Sequence, residues 1–127
     1  MGNILVEPGQ GTGDGAPPED LVTVIPLSGF DRALTYRIPP GLSGIRPGFL
    51  VRVPLLRRTE LAVVTVMDGD RSIPRNRLRY LYAVEHDFPV LTGDLLRLAD
   101  WISRYYAASM ADVFEVMIPA AVRKGTR

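Results

Sequence analysis

The sequence has no cysteine and a single histidine among its 127 residues. The missing cysteine excludes disulfides, cysteine-ligated zinc, iron–sulfur clusters and cysteine nucleophiles. The longest apolar runs, such as residues 61–64, are far too short to span a bilayer, and residues 1–20 lack the basic and apolar regions of a secretory signal. We therefore expect a cytoplasmic protein that does not contact a membrane.

Residues suited to catalysis or metal binding are also scarce. His86 stands between Glu85 and Asp87, which is too few ligands at this spacing for a metal site, and we interpret it as a surface residue at a strand end. The five serines lie in no nucleophile-elbow pattern. The sequence therefore predicts that this chain is not an enzyme and binds no metal or cofactor.

Charge is distributed unevenly along the chain, although the formal net charge is only +1. Residues 1–31 carry five acids and no basic residue, whereas residues 32–79 carry ten arginines and three acids. Fourteen of the fifteen basic residues are arginine, which suits forked contacts to phosphates or bases, although genomic base composition would give the same bias. An anionic partner would be attracted to the arginine-rich segment.

The hydrophobic pattern divides the chain into a tail, a β-rich segment and a helical segment. Residues 1–20 are rich in glycine, proline and acids, so we expect a disordered acidic tail. Thr92 and Ser109 fit the N-caps of two helices with apolar residues at three- and four-residue steps. The sequence predicts an α+β domain over residues 21–127, a small antiparallel OB-like β-barrel followed by two C-terminal helices. The five expected strands cover residues 21–27, 33–39, 49–55, 61–67 and 79–85.

The arginines and tyrosines of the β-rich segment are candidates for a nucleic-acid site. Aromatic and cationic side chains on a small barrel commonly bind single strands through base stacking and phosphate attraction. The alternative is that Tyr36 and Tyr82 are half-buried strand residues and that the arginines form a solvated face. On the first helix, we expect Trp101, Tyr105 and Tyr106 to pack against the barrel. The side chains expected at one rim are Arg52, Arg57, Arg58, Arg71, Arg75, Arg77 and Arg79, with Tyr36, Tyr80 and Tyr82 nearby.

Several short motifs occur in order between residues 21 and 124. They are Ile25-Pro-Leu27, Arg32-Ala-Leu-Thr-Tyr36, Pro39-Pro-Gly41, Pro47-Gly-Phe-Leu-Val-Arg-Val-Pro54, Pro89-Val-Leu-Thr92, Leu98-Ala-Asp-Trp-Ile-Ser-Arg-Tyr-Tyr106 and Asp112-Val-Phe-Glu-Val-Met-Ile-Pro119. Their order and spacing resemble the N-terminal domain of the primosomal protein N′ (PriA) family. The resemblance implies a barrel-like domain of a replication-restart helicase, which holds the 3′ end of the nascent leading strand at a fork. No ATPase motif is present, so we expect no ATP hydrolysis by this chain.

The resemblance also implies which residues form the pocket for the 3′-terminal nucleotide. The family's aromatic, aspartate and tyrosine positions hold Leu34, Thr35 and Tyr36, a family glycine falls on Leu56, and a family lysine on Arg79. Thr35 is a weaker acceptor than a carboxylate, and Leu56 obstructs close backbone approach, so we expect weakened capture of the 3′ end. DNA backbone contacts are expected from Arg52, Arg57, Arg58 and Arg77.

Two functions remain open at this point. The first is a DNA-binding domain of a replication-restart helicase, which binds forked DNA or a single-stranded 3′ end. The second is a protein-interaction or structural barrel domain of the primosome with a degenerate 3′-end pocket. In that case, single-strand-binding and primosome proteins would be the partners.

Overall fold

Five strands and two helices make up the described fold, in a computed structural model that covers residues 21–27, 32–119 and 122. The predicted α+β class is confirmed, and the tail predicted over residues 1–20 lies outside the described residues. The strands are β1 (Leu21–Pro26), β2 (Leu34–Arg37), β3 (Leu50–Leu55), β4 (Arg58–Val66) and β5 (Ala83–Val84). A 3₁₀ turn at Arg75–Arg77 precedes β5, and the helices α1 (Gly93–Tyr106) and α2 (Met110–Met117) follow it.

The strands form one antiparallel sheet in the order β2-β1-β4-β3-β5. The sheet is not closed, because β2 and β5 stand at its two ends, and the predicted barrel is therefore not confirmed. An isolated parallel bridge between Arg37 and Tyr80 ties the end of β2 to the segment before β5. The Arg37 amide donates to the Arg79 carbonyl at 2.9 Å, and the Leu81 amide donates to the Arg37 carbonyl at 3.0 Å.

Side chains on both faces of the sheet are buried, because successive residues of a strand point to opposite sides. Tyr36, Val51 and Val53 belong to the core on one face. Leu50 and Val63 belong to the core on the other, where the helices pack through side chains that include Ala99 and Phe114. The helices therefore cover the face of the sheet opposite Tyr36.

The two predicted helix caps are confirmed. The Thr92 hydroxyl accepts a hydrogen bond from the Leu95 amide at 3.4 Å, and the Ser109 hydroxyl accepts one from the Asp112 amide at 3.0 Å. Each side chain satisfies an amide of the first turn that has no partner within the helix.

Gly48 joins the helical layer to β3. Its φ is +93°, and a Cβ there would lie 1.9 Å from the Leu91 carbonyl oxygen. The close approach lets the Val90 amide donate to the Gly48 carbonyl at 2.8 Å. A larger residue at this position would force the start of α1 away from the sheet.

The last two strands differ from their predicted bounds. β4 begins at Arg58, three residues earlier than predicted, because Leu56 and Arg57 alone form the turn between β3 and β4. Tight hairpin turns usually carry glycine or asparagine, which this turn lacks. β5 is only two residues long, because residues 79–81 instead bond to the end of β2.

The aromatic cluster of α1 is exposed, so the prediction that it packs against the sheet is wrong. Trp101 is 56% exposed and Tyr105 67% exposed, and their rings stack on each other with centroids 4.9 Å apart. Ala99 and Ile102 occupy the face toward the sheet. At 100° per residue, Trp101 and Tyr105 project from the other side of the helix.

Candidate nucleic-acid interface

A surface pocket of about 250 Å³ lies beside the β3–β4 turn. Two separate parts of the chain form it, the hairpin and the segment before β5. The Tyr82 amide donates to the Arg52 carbonyl at 2.7 Å, which fixes this segment against β3. The lining residues are Pro54, Leu56, Arg57, Arg58, Thr59, Arg79 and Tyr82.

The pocket is strongly basic. Arg57, Arg58 and Arg79 line it, and no carboxylate does. Arg58 pairs with Glu60 at 3.1 Å, whereas Arg57 and Arg79 form no ion pair with any carboxylate of the described segments. Clustered positive charge in a concavity raises the local concentration of an anionic ligand.

Tyr36 lies beneath the pocket rather than in it. Its ring is only 4% exposed, and its hydroxyl donates a 2.5 Å hydrogen bond to the carbonyl oxygen of Pro54, a lining residue. Burial raises the pKa of Tyr36, while the nearby Arg79 lowers it and Tyr82 raises it further. The aromatic group predicted to contact the nucleotide is thus a buried support for the pocket wall.

Tyr82 and Leu56 present the exposed apolar surface of the pocket. Tyr82 is 54% exposed, so its ring is accessible to a stacking base. Leu56 is 76% exposed and has a φ of +58°, in the left-handed region that favours glycine. A glycine, which the family resemblance implies at this position, would adopt this positive φ without strain. Leu56 adopts it with strain.

Arg52 and Arg77, predicted to contact the DNA backbone, do not line this pocket. Arg52 forms a two-pronged ion pair with Glu85, at 2.8 Å from Nε to Oε1 and 2.9 Å from Nη2 to Oε2. This hydrogen bond raises the pKa of Arg52. Arg77 is exposed in the 3₁₀ turn. The structure thus brings together Arg57, Arg58 and Arg79 from the predicted set.

Leu34 and Thr35 also lie outside the pocket lining. Leu34 packs against the core that contains Tyr36. Thr35, on the opposite face of β2, accepts a 2.9 Å hydrogen bond from the Asp70 amide. A Cβ on Gly69 would lie 2.3 Å from the Thr35 methyl carbon, so the loop backbone touches this side chain. Thr35 therefore holds the loop after β4 in place.

Sequence reasoning did not single out Pro54 and Thr59 as pocket residues. They pair across the hairpin in the β3–β4 register, so they occupy the same level of the sheet. Knowing where the turn lies would have predicted this pairing, because the turn sets the register of a hairpin. A turn made of leucine and arginine, however, cannot be recognised as a turn from the sequence.

His86 follows β5 as predicted, although it is half-buried rather than exposed. Its Nε2 lies 3.1 Å from the Val122 carbonyl oxygen, and its ring stacks on Phe88 with centroids 4.8 Å apart. The described residues contain no group of three or more side chains placed to hold a metal ion. Among them, no helix has the length and apolarity needed to cross a membrane.

Comparison with known proteins identifies the family of this chain. Residues 22–119 match a family described as 3′DNA-binding domain (3′BD). Over 105 residues, 82% of the chain, the sequence is 26% identical to the Replication restart protein PriA of Bacillus subtilis (strain 168). The match spans 13% of that relative's length. The chain therefore belongs to the family of 3′ DNA-binding domains of replication restart protein PriA.

Proposed function

We propose that this chain binds a DNA strand by its 3′ end, with the terminal nucleotide in the pocket beside the β3–β4 turn. The observation that carries the proposal is the convergence of three arginines and an exposed tyrosine from two chain segments. Cationic groups attract the strand's phosphates, and an exposed aromatic ring stacks on a base. Both are needed to hold a single nucleotide at a strand end.

Each lining residue has a distinct role in this proposal. Arg57, Arg58 and Arg79 bind phosphate, and Tyr82 stacks on the terminal base. The hydroxyl of Thr59 supplies a neutral hydrogen-bonding group for the sugar, a role that Thr35 does not fill because it faces the Asp70 loop. Leu56 narrows the entrance, which agrees with the weakened 3′-end capture expected from the sequence.

In a replication-restart protein, the proposed ligand is forked DNA with the nascent leading strand's 3′ end at the junction. We infer that the protein acts on such forks in the cytoplasm. We also infer that this chain acts by binding, for which the residues lining the pocket offer cations, a hydroxyl and a ring.

Fluorescence anisotropy with a labelled fork tests the proposal. The forks end in a leading-strand 3′ hydroxyl, in a 3′ phosphate, or in a strand recessed from the junction, and each is titrated over a salt series. We expect the 3′-hydroxyl fork to bind tightest and its affinity to fall steeply with salt. Equal affinity for all three forks would contradict end recognition, and salt-independent binding would contradict the role of the arginines.

A matched pair of variants assigns the binding to the pocket. Arg79→Gln removes a charge from the pocket, and Arg104→Gln removes one from α1, where the arginine pairs with Asp100 at 3.1 Å. We expect Arg79→Gln to weaken fork binding about tenfold and to reduce the salt slope by about 1. Arg104→Gln should leave the fork affinity and the salt slope unchanged. If both variants lost the same affinity, the DNA would be attracted by overall charge and not by the pocket.

Protein binding is a second candidate function, favoured by the exposed aromatic cluster of α1. Its charged neighbours form two ion pairs, Asp94–Arg97 and Asp100–Arg104, so this face offers no net charge to a nucleic acid. A single-strand-binding or primosome protein with an apolar segment would fit it. Trp101 is the only tryptophan, so its emission should change with such a partner and stay constant with DNA.

A further inference from the structure

A cation–aromatic pair includes Tyr80, the sequence neighbour of the lining residue Arg79, and is not itself part of the pocket lining. The guanidinium carbon of Arg37 lies 4.3 Å from the centroid of the Tyr80 ring. Tyr80 is 39% exposed, so part of the ring remains accessible to a ligand. Neither residue belongs to the two hydrophobic cores.

Backbone hydrogen bonds fix this pair next to Arg79. The Arg37 amide donates to the Arg79 carbonyl at 2.9 Å, and the Arg37 carbonyl accepts from the Leu81 amide at 3.0 Å. Arg79 lines the pocket, and Tyr80 is its neighbour in sequence. A strand that leaves the pocket past Arg79 therefore meets the Arg37–Tyr80 pair first.

Arg37 and Arg79 place two guanidinium groups on this side of the pocket. On the hairpin side, Glu60 pairs with Arg58 and offsets its charge. Beyond Arg37, the Asp70 amide bonds to Thr35 on the same face of β2, which brings the acidic loop of Asp68 and Asp70 close to that strand. Arg37 attracts the phosphates of a strand, and the carboxylates of the loop beyond it repel them. The binding path is therefore short.

We propose that Arg37 and Tyr80 form a second nucleotide subsite, for the nucleotide on the 5′ side of the terminal one. This deepens the proposed function and rests on it. The base of this nucleotide stacks on Tyr80, and its phosphate lies between the guanidinium groups of Arg37 and Arg79. Planar guanidinium and aromatic groups stack on any base, so the subsite recognises length rather than sequence.

Short oligothymidylates that end in a 3′ hydroxyl test this subsite by calorimetry. For the unaltered chain, affinity should rise sharply from thymidine 5′-monophosphate to the 5′-phosphorylated dinucleotide, in which both nucleotides carry a phosphate, and little beyond the 5′-phosphorylated trinucleotide. Tyr80→Ala should reduce dinucleotide affinity about tenfold and leave mononucleotide affinity unchanged. Arg37→Lys keeps the charge but loses the planar group. It should also reduce dinucleotide affinity, by less than Tyr80→Ala does.

Two further variants separate the subsite from folding defects and from the pocket itself. Tyr80→Phe keeps the ring and should restore unaltered affinity, while Tyr105→Ala, an exposed tyrosine of α1, should change nothing. Arg79→Gln should weaken the binding of both the mononucleotide and the dinucleotide, because Arg79 lines the pocket and also contacts the second phosphate in this proposal. If Tyr80→Ala lowers both affinities equally or neither, the second subsite is disproved while the pocket stands. If no oligonucleotide binds the unaltered chain, the proposed function fails as well.

Discussion

The hydroxyl of Tyr36 donates a 2.5 Å hydrogen bond to the carbonyl oxygen of Pro54, which links the buried face of β2 to the wall of the arginine pocket. Proline has no amide hydrogen, so Pro54 contributes to hydrogen bonding only through this carbonyl. The bond is buried, and no solvent replaces it if it is lost. Tyr36, expected from the sequence to contact the nucleotide, thus lies behind the pocket and holds one of its lining residues in place.

Removing the Tyr36 hydroxyl should destabilise the fold. Tyr36→Phe leaves the Pro54 carbonyl without its buried donor, which lowers the free energy of unfolding by about 1–3 kcal/mol. Tyr82→Phe, at an exposed ring, should change it by less than about 0.5 kcal/mol. Urea denaturation measures both, and equal midpoints for Tyr36→Phe and the unaltered chain would contradict the assignment.

Alkaline pH should destabilise the chain through the same residue. Burial raises the pKa of Tyr36 above its ordinary value of 10.0, so the unfolded chain loses this proton first as the pH rises. The native state then binds more protons, and the free energy of unfolding falls as the pH rises above 10. Below that pH, ionisation of Tyr36 has no effect on stability.

Thermal unfolding from pH 9 upward checks this dependence. Tyr36→Phe should flatten the decline above pH 10, and Tyr105→Phe, at an exposed ring of α1, should retain it. A decline of the same slope in Tyr36→Phe would assign the alkaline sensitivity to other groups.

The sequence determined the fold better than the site, for identifiable reasons. Alternation in β1 to β3 and the caps Thr92 and Ser109 are local signals, and these elements lie close to where they were predicted. The exposed Trp101 was misassigned because α1 has more apolar residues than one buried face accommodates.

The site depends on contacts between distant segments, which the sequence does not display. Arg52 and Arg58 are close along the chain and look equivalent, yet Arg52 pairs with Glu85, 33 residues away. Thr35 was assigned to the pocket by its position in a family motif, but strand alternation directs it to the opposite side from Tyr36. By contrast, Arg57, Arg58 and Arg79 meet in one pocket, which brings together three of the seven arginines predicted at one rim.

Glycine at position 56 should relieve backbone strain. Leucine at a φ of +58° costs about 1–2 kcal/mol relative to glycine, and the added freedom of glycine in the unfolded chain costs about 0.5–1 kcal/mol. Leu56→Gly should therefore leave stability unchanged or raise it by up to about 1.5 kcal/mol. It should also widen the pocket entrance and strengthen 3′-end binding.

Arg57→Gly is the matched control, because Arg57 shares the turn without a positive φ. Arg57→Gly should lower stability by about 0.5–1 kcal/mol. Thermal unfolding measures the stability of both variants. If Leu56→Gly proves less stable than Arg57→Gly, the left-handed backbone at residue 56 is not a source of strain.

The Arg52–Glu85 pair should support the fold rather than DNA binding. Arg52→Gln removes this ion pair from the largely buried Glu85 carboxylate, and we expect the free energy of unfolding to fall by about 1–2 kcal/mol, limited by the partial exposure of Arg52. Its fork affinity should change less than about twofold, whereas Arg58→Gln should weaken binding with little effect on stability. Urea denaturation and anisotropy measure both properties. If Arg52→Gln weakened fork binding and left stability unchanged, Arg52 would be a DNA contact instead.

Amide chemical-shift mapping with an oligonucleotide that ends in a 3′ hydroxyl tests the central claim most directly. If the pocket holds the strand end, the largest changes fall on Leu56, Arg57, Arg58, Thr59, Arg79 and Tyr82, and α1 is unaffected. Changes concentrated around Trp101 and Tyr105, with the β3–β4 turn unperturbed, would show that DNA binds the helical face and that the pocket is not its site.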